Sequence, residues 1–306
     1  NQMKHRMECR KKGEDDFVML DDMVSNSIWM ELNEAGYPCS VKNMENLIYS
    51  DFSFSYHPIR EYMNHLPPWD GIDHIGCLAE SVHTIPAQRE FWLKGFRNFL
   101  VGMVAAATQE EVVNHLCLLL CSKQNLGKTT FINNILPREL RTDYLSTGII
   151  SAGNKDDLSR MSEYMLINFD EFEGMTGHEL SLLKDLITRK FISIRLPYAR
   201  HTQNLPHWAS FAGTCNHPQV LYDPTGNRRF LCYEIEKINR LEIDYPQLYA
   251  QIKHLLDSGY RYWFEAYEND EIELNNKPFL FQTPEEEMVL THFRKPERFE
   301  SFKYMT

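Results

Sequence analysis

The residues with the clearest chemical potential lie in one stretch, residues 116–135, which reads LCLLLCSKQNLGKTTFINNI. An apolar run with the length of a buried strand is followed by a polar turn and then by an amphipathic helical pattern. Gly127 lets the backbone approach a phosphate, Lys128 supplies a positive charge, and Thr129 offers a hydroxyl ligand to Mg²⁺. The stretch therefore predicts a strand, a phosphate-binding loop and a helix.

The loop departs from the usual pattern at one position. The pattern G-x-x-x-x-G-K-[ST] begins with glycine, and Ser122 stands there instead. A chance Gly-Lys-Thr at the start of a helix is the alternative interpretation of the motif taken alone. The residues expected to contact ATP are those of the loop and the first helical turn: Ser122, Lys123, Gln124, Asn125, Leu126, Gly127, Lys128, Thr129 and Thr130.

Polar residues that follow two later apolar stretches complete the predicted site. The run YMLINF (164–169) ends in Asp170 and Glu171, and ASFAGT (209–214) is followed closely by Asn216. Taken singly, an Asp-Glu pair is usually a solvated turn and an asparagine after a strand is usually a cap. At neighbouring strand ends, however, Asp170 can hold Mg²⁺ through water, and Glu171 can polarise the attacking water. Asn216 would sense the γ-phosphate and orient that water, so ATP hydrolysis is the favoured chemistry.

Two basic segments suggest further contacts. The sequence FISIRLPYARH (191–201) predicts a hairpin whose Arg195, Tyr198 and Arg200 contact backbone phosphates and stack a base of a single strand. The alternative is a hairpin whose arginines pair with acidic neighbours. Arg228 and Arg229 follow a turn-forming segment, where either arginine could complete the ATP site of an adjacent protomer.

These segments resemble the helicase-type ATPase of the virulence-associated E family over roughly residues 56–231. The matching segments, besides the phosphate loop, are HPIREYMNHLPPWDGIDHI (57–75), GFRNFLVGMVAAAT (95–108), INFDEFEGM (167–175), LKDLITRKFISIRLPYAR (183–200) and GTCNHPQVLYDPTGNRRF (213–230). That family is similar to superfamily 3 helicases and phage primase-helicases, which are AAA+-like rings that pull single-stranded nucleic acid through a pore. The resemblance implies an α/β fold, a P-loop NTPase core with a parallel central sheet flanked by small helical domains.

The resemblance also implies a function. We expect an ATP- and Mg²⁺-dependent helicase or translocase that acts on single-stranded DNA, or RNA, in replication of a phage or mobile element. Its implied assembly is a homo-oligomer, a hexameric ring, with a primase domain upstream in the full protein. One alternative is an ATP-switched replication initiator or scaffold that oligomerises on DNA without unwinding it. A small-molecule kinase is disfavoured, because the lid arginines and acceptor pocket of such enzymes have no counterpart in the sequence.

Composition limits the remaining possibilities. The 306 residues carry a net charge of −11, which argues against tight non-specific DNA binding by the monomer but leaves binding in a pore open. No apolar run reaches the length of a membrane span and no signal-peptide core is present, so we expect a cytoplasmic protein without a membrane partner. The seven cysteines form no CxxC pair, which favours reduced thiols over disulfides or zinc.

The chain divides into three predicted parts. Residues 1–66 form a helical N-terminal adaptor, residues 67–238 the ATPase core, and residues 239–306 a helical region that leads to a further domain. The absence of an initiator methionine suggests a fragment. Within the core, residues 72–108 have the pattern of two or three helices.

Overall fold

A six-stranded, mostly parallel sheet lies at the centre of the computed structural model, which describes residues 1–13, 17–148, 154–195, 201–222, 226–281, 288–289 and 292–293. The strands of the described chain are β1 (Glu8–Cys9), β2 (Val18–Met19), β3 (Val82–Thr84), β4 (Cys117–Cys121), β5 (Leu145–Thr147), β6 (Leu166–Phe169), β7 (Phe191–Ile194), β8 (Gln203–Pro206), β9 (Ser210–Cys215) and β10 (Phe230–Ile238). The order in the central sheet is β3-β10-β4-β9-β6-β5, and only β3 is antiparallel to its neighbour. The strands β1 and β2 form a separate antiparallel pair, as do β7 and β8.

Helices cover both faces of this sheet. The α-helices of the described chain are α1 (Asp22–Glu34), α2 (Val41–Ile48), α3 (Pro58–Asn64), α4 (His74–Glu80), α5 (Arg89–Thr108), α6 (Lys128–Asn133), α7 (Arg138–Tyr144), α8 (Lys155–Glu163), α9 (Gly177–Leu186), α10 (Tyr245–Asp257) and α11 (Asn269–Asn276). The fold is therefore mixed α/β, as the sequence predicted.

The alternation of side chains along β4 explains why the sheet has two apolar layers. Leu118 and Leu120 point into a cluster that contains much of α5, whereas Leu119 points into a second cluster that contains residues of α9. All five residues of β4 are buried, as expected for a parallel strand covered on both faces. This double burial is why the segment reads as a continuous apolar run in the sequence.

The register of the central strands places their polar ends together. Cys121 at the end of β4 lies opposite Cys215 at the end of β9, so Ser122 and Asn216 leave the sheet at the same level. The amide N–H of Ser122 donates a hydrogen bond to the Cys215 carbonyl at 3.1 Å. Because these strands are parallel, the predicted phosphate loop and the predicted sensor asparagine share one edge of the sheet.

The structure differs from the sequence prediction at several elements. Residues 72–108 contain the short strand β3 between two helices, and three residues are too few to interrupt a helical pattern in the sequence. The N-terminal region contains the β1–β2 pair as well as helices, and Ile59 and Met63 of α3 lie in the same apolar cluster as α5. In the described part of the chain, none of the helices has both the length and the apolar character needed to span a membrane.

Burial of His207 predicts an acid-sensitive fold. This side chain is fully buried, and burial lowers its pKa to about 4 from the usual 6.5, although hydrogen bonds to the backbone oppose the shift. The unfolded chain therefore binds a proton below about pH 6.5 that the folded chain does not accept until about pH 4. Stability that is fully present above pH 6.5 should fall by up to about 3 kcal/mol as the pH falls to 4.

Urea unfolding at several pH values measures this loss. In His207→Gln we expect a shallower fall in unfolding free energy between pH 6.5 and 4, whereas the exposed His201→Gln control should keep the wild-type slope. His57, whose pKa burial also lowers to about 4, accounts for part of the slope that remains. A wild-type slope in His207→Gln would contradict the assignment.

Candidate functional site

The predicted phosphate loop connects β4 to α6, and its backbone has the conformations that a tight turn requires. Asn125 and Gly127 both have left-handed backbone angles, with φ of 66° and 81°. Gly127 is the N-cap of α6, and no side chain caps the helix. The first amide groups of α6 are therefore left for another acceptor, and an anion is favoured at this end of a helix. Lys123, Gln124 and Asn125 lie exposed on the loop.

Lys128 links the loop to the end of the neighbouring strand. Its ammonium Nζ donates to the Ser122 carbonyl at 3.0 Å, the Ser122 hydroxyl at 2.9 Å, the Lys123 carbonyl at 3.1 Å and Asn216 Oδ1 at 3.4 Å. Burial lowers the pKa of Lys128, and two nearby carboxylates partly oppose this shift. Ser122, which departs from the usual motif, thus supplies two of the oxygens that hold the lysine, and these are oxygens that a phosphate group can replace.

Asp170 lies where the sequence predicted a magnesium ligand. Its Oδ1 accepts hydrogen bonds from the Thr129 hydroxyl at 2.9 Å and from the Thr214 hydroxyl at 2.7 Å. Thr214 belongs to β9 and is buried, so it fixes the carboxylate from the sheet side. The oxygens of Thr129 and Asp170 are of the type that Mg²⁺ prefers, and they lie 2.9 Å apart.

Two glutamates lie close to the strand end. Glu171 is exposed, has a left-handed backbone with φ of 56°, and its side chain makes no hydrogen bond with the described residues. Glu173 accepts from both the backbone N–H of Asn216 at 3.0 Å and its side-chain amide at 2.8 Å. The second oxygen of Glu173 is buried and has no hydrogen-bond partner among the described residues. Glu173 therefore orients the predicted sensor, while Glu171 remains free to meet a ligand.

A disulfide lies directly beneath this site. The structure joins Cys121 to Cys215, whose Cα atoms are 4.7 Å apart, within the range of roughly 4.4–6.8 Å for such bonds. This corrects the prediction that the cysteines are all reduced thiols. The pair escaped the sequence analysis because its members are 94 residues apart and meet only through the register of β4 and β9.

A pocket of about 360 Å³ adjoins the phosphate loop. One wall comes from the loop and α6, and the other from α4 and the segment that follows β10. Its lining residues are Leu78, Ser81, Leu126, Gly127, Thr130, Phe131, Asn134, Ile238, Asn239, Arg240, Leu241 and Ile243. The pocket is mostly apolar with a few amide and hydroxyl groups, which is typical of a site for a flat aromatic group.

Arg228 and Arg229 lie at the opposite edge of the sheet. They precede β10, whose first residue, Phe230, pairs with Cys117 at the start of β4. The phosphate loop follows the other end of β4, about 13 Å farther along the strand. Neither arginine can therefore serve the Lys128 site of its own chain, and both line a larger cavity of about 660 Å³ instead.

The predicted hairpin is present as the antiparallel pair β7 and β8. Arg195 directly follows β7 and is exposed. Tyr198 and Arg200, the other two residues predicted to contact nucleic acid, lie outside the described residues.

Several site residues were missed by the sequence analysis. Thr214 ends the apolar run ASFAGT, and a hydroxyl at a strand end was the available signal. Glu173 lies two positions after Glu171, so alternation of acidic residues was the signal there. The pocket segment around Asn239 carried no signal, because its approach to the loop depends on the path of the chain after β10.

A comparison with protein-family models agrees with the resemblance to the virulence-associated E family. The virulence-associated protein E-like domain matches residues 63–280, and no curated protein matches the chain. Two apo structures of the NrS-1 C-terminal region are 14% and 13% identical, with TM-scores of 0.47 and 0.48. The matches cover 88% and 90% of this chain but only 60% and 63% of those chains, and likeness at this level carries no conclusion about function. The match to the domain covers more than half of the residues of this chain. The chain therefore belongs to the virulence-associated protein E-like domain family.

Proposed function

We propose that this protein is an ATP-hydrolysing helicase or translocase that moves single-stranded nucleic acid during replication of a phage or mobile element. The observation that carries the proposal is the convergence of Lys128, Thr129, Asp170 and Asn216 at one sheet edge through direct hydrogen bonds. An isolated Gly-Lys-Thr segment would not have an aspartate and an asparagine from two other strand ends beside it. The central sheet and flanking helices are consistent with a P-loop NTPase core of the AAA+ type.

The site fits ATP with Mg²⁺. The uncapped N-terminus of α6 and the ammonium of Lys128 would hold the phosphates, and the apolar pocket beside Leu126 would hold the base. Mg²⁺ held there would supply positive charge against the phosphates. Thr129 would bind the ion directly, and Asp170, fixed by Thr214, would hold it through water.

The remaining residues act on the attacking water. Glu171, whose side chain is uncommitted, would polarise the water, and Asn216, oriented by Glu173, would position it against the γ-phosphate. Arg228 or Arg229 of a neighbouring copy would reach that phosphate, because both lie too far from the site in their own chain. The proposed assembly is a ring in which each site is shared by two copies, and the family resemblance implies that it is a hexamer.

The β7–β8 hairpin is the proposed contact with the strand. In Arg195→Ala with Arg200→Ala we expect basal ATP turnover to persist, and its stimulation by single-stranded DNA to be lost, because phosphate contacts supply most of such binding. ATP turnover with and without an oligonucleotide measures this. The exposed Arg138→Ala is a control for loss of positive charge elsewhere, because Arg138 lines neither of the two pockets. Stimulation that survives the double substitution would remove the hairpin from this role.

The test of the function as a whole is steady-state ATP turnover as a function of protein concentration, with and without single-stranded DNA. A helicase ring predicts a rate per chain that rises with both, and Lys128→Ala should abolish the rate. ATP binding with flat, negligible turnover would instead support the alternative, a nucleotide-switched initiator or scaffold that assembles on DNA without unwinding it. Absence of ATP binding would reject both functions.

A further inference from the structure

The larger cavity lies at the sheet edge opposite the phosphate loop, where β4 and β10 begin. We call it the amino-edge cavity and define it by Thr188, Arg228, Arg229, Tyr262 and Trp263, which are among the residues that line it. Its volume of about 660 Å³ is within the range of roughly 300–1,000 Å³ for small-molecule sites. The proposed ATP site uses the other edge, so this cavity has no assigned ligand.

Two arginines, Arg228 and Arg229, line this cavity. Within the described ranges, neither Arg228 nor Arg229 has an ion pair with a carboxylate, and Nε of Arg229 is buried without a hydrogen-bond partner. Among the described residues, Arg229 donates a hydrogen bond from Nη1 to the Gly226 carbonyl at 3.3 Å. Burial, and then the charge of Arg228, lower the pKa of Arg229, and the charge of Asp185 opposes this shift. Although Glu111 also lines the cavity, an anion there would gain the half-buried guanidinium of Arg229, which makes no ion pair with the described residues.

An aromatic wall faces the same space. Trp263 is 51% exposed, which is unusual for the largest apolar side chain, and its indole N–H donates to Glu265 at 3.3 Å. Tyr262 packs edge-on against it, with ring centroids 5.3 Å apart and an interplanar angle of 89°. About half of the Trp263 surface is therefore open to solvent, where a base could stack on the ring.

We infer that the amino-edge cavity binds a nucleotide unit, with its phosphate on Arg229 and its base against Trp263. A phosphate ion would use only the arginine, and an aliphatic acid would gain little from the indole. The unit could be a free mononucleotide or one residue of a single strand, since both present the same groups. This inference goes beyond the proposed function, because the ligand is held by a single chain and is not the ATP of a neighbouring copy.

The test uses the full chain with Lys128→Ala, which removes the proposed ATP site and so separates the two proposals. Binding of AMP and of a short fluorescent oligothymidylate is measured by calorimetry and anisotropy. We expect one site per chain for at least one of the two probes. Trp263→Ala in this background should weaken that binding about 5- to 100-fold, and Trp263→Phe should retain most of it. Binding of the oligonucleotide alone would identify the unit as one residue of a single strand. Binding of AMP as well would show that a free mononucleotide also fits.

Four outcomes would overturn the inference. The first is that neither probe binds, and the second is that Trp263→Ala and Trp263→Phe bind as tightly as the parent. The third is binding that appears only as copies associate and is unaffected by Trp263→Ala, because the ligand would then be held between chains. Inorganic phosphate that competes as well as AMP would also reject the stacked base. Circular dichroism confirms that each variant is folded.

Discussion

Replacing Arg228 with alanine should reduce ATP turnover about 10³- to 10⁵-fold, the effect typical of an arginine supplied by a neighbouring subunit. The structure favours Arg228 over Arg229 for this role, because Arg228 is exposed whereas Arg229 is half-buried and bonded to the Gly226 carbonyl. The affinity of the same chain for ATP should change little, because its predicted phosphate loop follows the end of β4 that is far from Arg228. The measurements are steady-state turnover and nucleotide binding at a protein concentration that supports assembly.

A mixing experiment shows whether the arginine acts between copies. Arg228→Ala keeps its own phosphate loop, and Lys128→Ala keeps its arginines, so a mixed assembly contains some complete sites. Turnover should therefore recover when the two inactive variants are combined. The matched variant Arg229→Ala should lose less turnover than Arg228→Ala when measured alone. If mixing restores nothing, the arginine does not complete a neighbour's site.

Glu171→Gln is expected to lower ATP turnover about 10²- to 10⁴-fold, the contribution of a general base, while ATP binding and assembly persist. The substitution keeps the size of the side chain and removes its ability to take a proton from water. Because Glu171 makes no hydrogen bond with the described residues, the fold should be unaffected. Single-turnover hydrolysis and ATP binding separate the chemical step from affinity.

Glu173→Gln is the matched control for this prediction. Its remaining oxygen can still accept the two N–H groups of Asn216, so we expect turnover within about tenfold of the parent. If Glu173→Gln is the inactive variant and Glu171→Gln remains active, the two glutamates exchange roles. Thr214→Val provides a further comparison, because it removes one of the two hydroxyl groups that fix Asp170.

The sequence by itself determined the mixed α/β fold class and indicated which polar residues follow the central strands. The apolar runs before Ser122, Asp170 and Asn216 read as strands because parallel strands covered on both faces are apolar throughout. Gly127, Lys128 and Thr129 were recognisable because a phosphate loop needs those residue types at consecutive positions. Local composition also predicted the β7–β8 hairpin, since its two strands are close in the chain.

Only the tertiary structure decided which distant residues meet. The register between β4 and β9 pairs Cys121 with Cys215 and places Asn216 against Lys128, and no local pattern encodes a register between strands 94 residues apart. Arg228 and Arg229 are adjacent residues of the same type, so the sequence cannot distinguish them. The structure does, because Arg228 is exposed and Arg229 is half-buried. The amino-edge cavity is likewise made by segments separated along the chain, because a pocket depends on packing between elements rather than on the periodicity within one.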